Sequence, residues 1–203
     1  MRAFLLGVAA GYGIAIPVGA IAVLIVQVGI RCGFGCAASA GAGAATADLL
    51  YALLAVTGGV ALAAAVEDVG EPLRWVSAGV LVLIALRGLA RARRAPGMAD
   101  APLPRPREYA LTYARFLGLT VINPLTVVYF AAIVLGLGLA AELTPAAGVA
   151  FVTGAFLASL SWQLLLAAVG AVVGRRLPPR FAVGAAIAGN VLILAMALLI
   201  VLR

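Results

Sequence analysis

The sequence predicts an all-α, polytopic membrane protein of about six transmembrane helices. Three observations carry this. Of 203 residues, 66% are hydrophobic. Only 10% are charged, whereas a soluble domain keeps roughly a quarter charged. The mean hydropathy is +1.21, and the apolar residues fall into runs of the length that crosses a bilayer, about 20 residues each.

The first run covers residues 4–28, too long for the core of a secretion signal, and reads as a retained span. The second, 36–63, is rich in Gly and Ala. The third begins after Pro72 and ends near Leu89; Pro72 suits a first helical turn, and Trp75 suits the membrane interface. Residues 91–111 carry Arg and Pro without an apolar stretch and read as a loop. The remaining runs are 112–139, 146–173 and 181–202.

The chain therefore reads as one transmembrane domain, with a three-helix half at 1–90 and a second at 112–203. An odd number of helices per half makes the halves enter the membrane from opposite sides, which is an inverted repeat. Pro17 and Gly19 in the first helix, and Pro124 in the fourth, occupy matching places. A mid-helix proline removes a hydrogen bond, and the freed carbonyl must find a partner in the protein or in a wet cavity. Two matched breaks point to a binding site between helices one and four.

All 14 basic residues are Arg, giving a formal charge of +7 with seven acids and no His. The Arg residues gather between apolar runs rather than along one face, which argues for bilayer topology and against nucleic acid. Arg31, the group from Arg87 to Arg115, and Arg175, Arg176 and Arg180 mark alternate links. Glu67, Asp68, Glu71 and Glu142 mark the others, where Arg74 is the lone base. The basic links belong inside, so the long Arg-rich loop is expected in the cytoplasm of a bacterial inner membrane, with both termini outside. Arg2 and Arg203 disagree with that polarity, and a five-span chain with its N-terminus inside is the alternative.

Asp48 is the acid placed at membrane depth, where insertion costs about 2.5–3.5 kcal/mol. That expense suits a residue that binds a substrate amine or carries a coupling proton. Tyr51 lies one turn away; Asn123 directly precedes Pro124. Trp162 and Gln163 follow Ser159 and Ser161 in the fifth helix and suit a pocket wall. Gln27 reads as interfacial, and Asn190 as a link between helices. Cys32 and Cys36 lack partners for a metal site and read as two small apolar residues, with one disulfide as the alternative. No nucleotide or cofactor signature is present, so no cofactor is expected. With no His, the serine, cysteine and zinc hydrolase patterns are missing, so the chain is not expected to be an enzyme.

Three segments together resemble the LysE/RhtB family of amino-acid exporters. They are PVGAIAVLIVQVGIR from Pro17 to Arg31, AGAGAATADLLYALLAVTGG around Asp48 and Tyr51, and LTVINPLTVVYF around Asn123 and Pro124. Gln27 and Arg31 are similar to the lysine-exporter branch. Many members have Pro-Gly-Pro where this chain has Pro17-Val18-Gly19, and a Lys or His where it has Leu125. The resemblance implies export of amino acids or similar metabolites by antiport with protons or another cation. A homodimer is left open. The runner-up readings are a heavy-metal cation exporter, another relative in the same superfamily, and a membrane scaffold.

Overall fold

The computed structural model describes residues 1–16, 19–94, 106–123, 126, 129–130, 144–176 and 179–202. Among these, every regular element is a helix: α1 (Arg2–Ala15), α2 (Ala20–Cys32), α3 (Phe34–Arg94), α4 (Pro106–Val121), α5 (Pro145–Arg176) and α6 (Pro179–Leu202). Proline opens three of them, at the position where its missing N–H costs nothing. At α5 the Thr144 hydroxyl also accepts the Ala147 N–H at 3.4 Å, supplying a cap.

Among the described residues, two segments are long and apolar enough to cross a bilayer by themselves, Phe34–Gly58 and Pro145–Arg176. The bent pair α1 and α2, meeting at 76°, makes a third if it is one broken span. Trp75–Ala90 and Ile187–Leu199 are shorter apolar stretches.

The link expected between the second and third helices is itself helical. The run from Phe34 continues through Pro72 to Arg94, with non-helical geometry at Gly58. Residues 60–67 are almost all Ala, Val, Leu and Glu, with no turn-forming residue to stop a helix. The Gly58-Gly59 pair, lacking side chains to pack, takes the kink instead. Pro72 thus lies within the helical run rather than at its first turn, and its side chain is exposed. The Arg-rich segment is also trimmed at both ends: helix reaches Arg94 and resumes at Pro106, with 95–105 outside the described residues.

Cys32 and Cys36 are joined as a disulfide across the α2–α3 turn, contrary to the reading of two separate apolar residues. Gly33 between them has φ +82°, a conformation that side chains disfavour.

Small residues fill the interior. Ala37, Ala40, Ala44, Ala45 and Ala47 on α3 are buried, whereas Leu50, Leu53, Leu54, Leu157, Leu165, Leu198 and Leu199 point outward. Lipid is as apolar as leucine, so helix association in a bilayer gains from close backbone approach rather than from hiding large side chains. Contacts along α5 display this approach. A Cβ on Gly7 would collide with the Phe151 carbonyl, one on Gly11 with the Ala155 carbonyl, and one on Gly154 with the Phe4 carbonyl. Further on, Gly170 meets Val26 and Gly174 meets Ile30.

These pairs also fix direction. Neighbours on α5 advance in step with α1 and then with α2, so each runs in the same sense as α5 where it packs on it. Against α3 the order reverses: Gly41 meets Gln163, Asp48 meets Ser159, and Val56 meets Gly148. Helix α4 runs with the first part of α3, as Gly35 meets Tyr109, Gly43 meets Tyr113, and Tyr51 meets Val121.

Candidate functional site

Asp48 faces α5 from the small-residue stripe of α3 and is 4% exposed. The Ser159 hydroxyl donates to its Oδ2 at 2.6 Å. Among the described residues, no basic side chain pairs with it. A hydroxyl partner has a property that a fixed N–H lacks: it donates to a carboxylate and, by rotating, accepts from a protonated acid. Ser159 can therefore follow Asp48 through a change of charge. The sequence reading placed Ser159 in a polar group of the fifth helix without pairing it to Asp48.

One turn along α3, the Tyr51 hydroxyl donates to the Val121 carbonyl at 2.6 Å. This bond reaches the expected break in the fourth helix. Helix α4 ends at Val121, Ile122 turns, and Asn123 is non-helical, as the residue before a proline tends to be. The Asn123 N–H closes a short turn onto the Thr120 carbonyl at 3.1 Å, and its own carbonyl accepts the Thr126 N–H at 3.1 Å. With the Thr126 N–H turned to Asn123, the Ile122 carbonyl loses its helical partner, and the Val121 carbonyl lies at the end of the helix. Tyr51 takes the first, and the Ser77 hydroxyl, also from α3, takes the second. A lone Ser in an otherwise apolar stretch was the only sequence signal for Ser77. Pro124 itself lies outside the described residues.

Each of these hydroxyls satisfies a carbonyl that would otherwise cost about 1–3 kcal/mol in a dry interior. Tyr51→Phe and Ser77→Ala are each expected to destabilise the detergent-solubilised protein by about 1–3 kcal/mol. The double variant should cost less than their sum if the two share one unwound corner. Thermal unfolding of the four proteins checks this, and strict additivity would show that the carbonyls act independently. Tyr51→Phe keeps the ring, which stacks on Phe130 with centroids 5.9 Å apart.

The other break separates α1 from α2. Pro17 lies outside the described residues, and Gly19 is extended at φ −109°, ψ 179° ahead of α2. Tyr12 of α1 exchanges a 2.9 Å hydrogen bond with Ser161, so Trp162 and Gln163 stand on α5 level with this break. Gln163 is 6% exposed, and its Cβ packs on Gly41. Its Oε1 and the Trp162 Nε1 are buried without hydrogen-bond partners. The two broken regions also touch: the Tyr129 hydroxyl, beyond the fourth-helix break, donates to the Ala10 carbonyl at 3.2 Å and fills the space left by Gly13. Tyr129 and Thr120, whose buried Oγ1 also lacks a partner, were not singled out from sequence.

The structure thus brings Asp48, Tyr51 and Gln163 onto the α3–α5 contact, and links Tyr51 to the corner at Asn123. A buried carboxylate with no basic partner among the described residues, one turn from a side chain that reaches a broken helix, gives this helical membrane protein a polar centre in its interior. Residues 13–202 match the family model described as LysE type translocator, and the chain belongs to that family. It is accordingly a multi-pass membrane translocator of small molecules, not an enzyme. Comparison with curated proteins and with solved structures returned no match.

Proposed function

We propose that this protein is a secondary exporter of amino acids or closely related metabolites, driven by the proton gradient across a bacterial inner membrane. The observation that carries this reading is Asp48, buried in a stripe of small residues with a rotatable hydroxyl as its partner. It stands beside one helix break, and the unpartnered Trp162 and Gln163 stand level with the other.

In this reading the substrate-loaded site holds Asp48 charged, with Ser159 donating. A substrate ammonium replaces the missing cation, because an ion pair in a low-dielectric site is far stronger than in water. Gln163 Oε1 offers the amine a second acceptor, and Trp162 Nε1 offers a donor to the opposite end. When a proton takes the place of the amine, the charge vanishes and the occupied carboxyl no longer competes for substrate. Proton and substrate thus use the same group in turn, which couples their movements in opposite directions.

Helix directions are those of an alternating six-span chain, which two inverted halves require. In such a six-span arrangement the first and fifth helices run parallel, the second and fourth run parallel, and the second and fifth run opposed. Those are the directions of α1 with α5, α3 with α4, and α3 with α5. The halves would rock about the Asp48 level, with Arg-rich links in the cytoplasm and both termini outside. The metal-exporter reading has no observation in its favour.

The test is an export assay. Cells with and without the protein are loaded with dipeptides, and amino acids released to the medium are profiled. Faster release of one amino acid, or a small group, only with the protein present is the expected result. Unchanged release from cells shown to contain the inserted protein would overturn the reading. Asn123→Ala is expected to slow export several-fold while leaving the amount of inserted protein unchanged; loss of insertion would make Asn123 structural instead.

A further inference from the structure

A second buried polar centre lies apart from Asp48. Gln27 on α2 is 8% exposed, and its Nε2 has no hydrogen-bond partner. The amide lies against Gly189 of α6, where a Cβ would collide with Nε2. The adjoining Asn190 is 1% exposed, and its amide occupies the corresponding space at Gly88 of α3. Three helices therefore meet around two carboxamides, and two glycines make the room for them. An amide serving only to join helices is bonded across the contact; the Gln27 Nε2 is not.

The sign of this centre is opposite to that of the first. Nε2 offers two N–H donors, and Arg31 lies one turn further along the same face of α2. Asp48 and the Gln163 Oε1 are acceptors. The two centres are also well separated. Val26 and Gly29, flanking Gln27, pack at Gly170 of α5, whereas Asp48 packs at Ser159. That stretch of α5 is about 16 Å long at 1.5 Å per residue, more than one small amino acid spans.

We propose that Gln27 marks a second binding station, taking the carboxylate end of the carried solute on the Arg31 side of the Asp48 centre. The identity of the solute rests on the exporter reading; the chemistry of the station does not. A zwitterion approaching from the Arg31 side meets a donor for its carboxylate first. It then passes to the carboxylate that receives its ammonium.

The test uses the full-length protein in detergent, with acetate and methylammonium as probes at matched ionic strength. Acetate is expected to raise the unfolding temperature of the wild type but not of Gln27→Leu, whereas methylammonium protects both equally. Without ligand, Gln27→Leu should unfold at the same or a higher temperature, because it removes an unpartnered buried amide. Gln27→Glu keeps the shape, places a like charge against the probe, and should also lose acetate protection. Equal protection of Gln27→Leu by acetate, no protection of the wild type, or a lower unfolding temperature for ligand-free Gln27→Leu would each overturn the proposal. Where export is measurable, Gln27→Leu should raise the half-saturating cytoplasmic concentration about tenfold, the loss of one charge-assisted hydrogen bond, with the maximal rate nearly unchanged. If the wild type exports nothing, the transport reading fails, and the acetate experiment still decides the station.

Discussion

Asp48→Asn is expected to abolish transport while the protein inserts at least as well as the wild type. Asparagine has nearly the same shape and can still accept the Ser159 hydroxyl that the structure places at 2.6 Å. Packing against α5 is therefore kept. What disappears is the charge. Leaving a buried cation without its partner costs roughly 3–5 kcal/mol, which corresponds to about a hundredfold or more in rate. The same substitution removes the ionisable group at membrane depth and leaves a neutral amide of the same shape, so yield in the membrane should not fall. Export from dipeptide-loaded cells, normalised to inserted protein, checks both halves of the expectation. Wild-type export by the Asn variant would remove Asp48 from the mechanism; lost insertion would make it structural.

Gly11→Leu is expected to prevent stable assembly. Gly11 packs directly on the backbone of Ala155 and on the Ala158 methyl group. A leucine there cannot yield by a rotamer change alone, because the colliding atoms belong to the backbone of α5. The helices must separate, and with them go the matching contacts of Gly7 at Phe151 and Gly154 at Phe4. Overpacking typically costs about 1–3 kcal/mol, and losing a whole close-packed seam costs more. The measurement is the monodisperse fraction of detergent-solubilised protein on size-exclusion chromatography. Gly118→Leu is the control, since no atom lies within 4 Å of a Cβ placed there. If both variants behave alike, the α1–α5 seam does not hold the fold.

Composition alone determined that this chain lives in lipid, because a chain with so few charges cannot clothe itself for water. The order of residues also determined that Asp48 is costly, and that a break falls beside Asn123, where a proline's missing N–H acts through local geometry. The sequence further pointed to Trp162 and Gln163. Other features waited on the tertiary structure. Whether the α2–α3 turn joins its cysteines, and whether Gly58 or the acidic stretch before Pro72 interrupts the helix, depends on how neighbouring segments compete. Pairings across long chain separations, such as Asp48 with Ser159, or Tyr51 and Ser77 with the carbonyls of the fourth-helix break, leave no local pattern. Helix propensity and hydropathy are sums over neighbours in sequence. A hydrogen bond between α3 and α5 depends on which small residues let two backbones close, and only the packed molecule decides that.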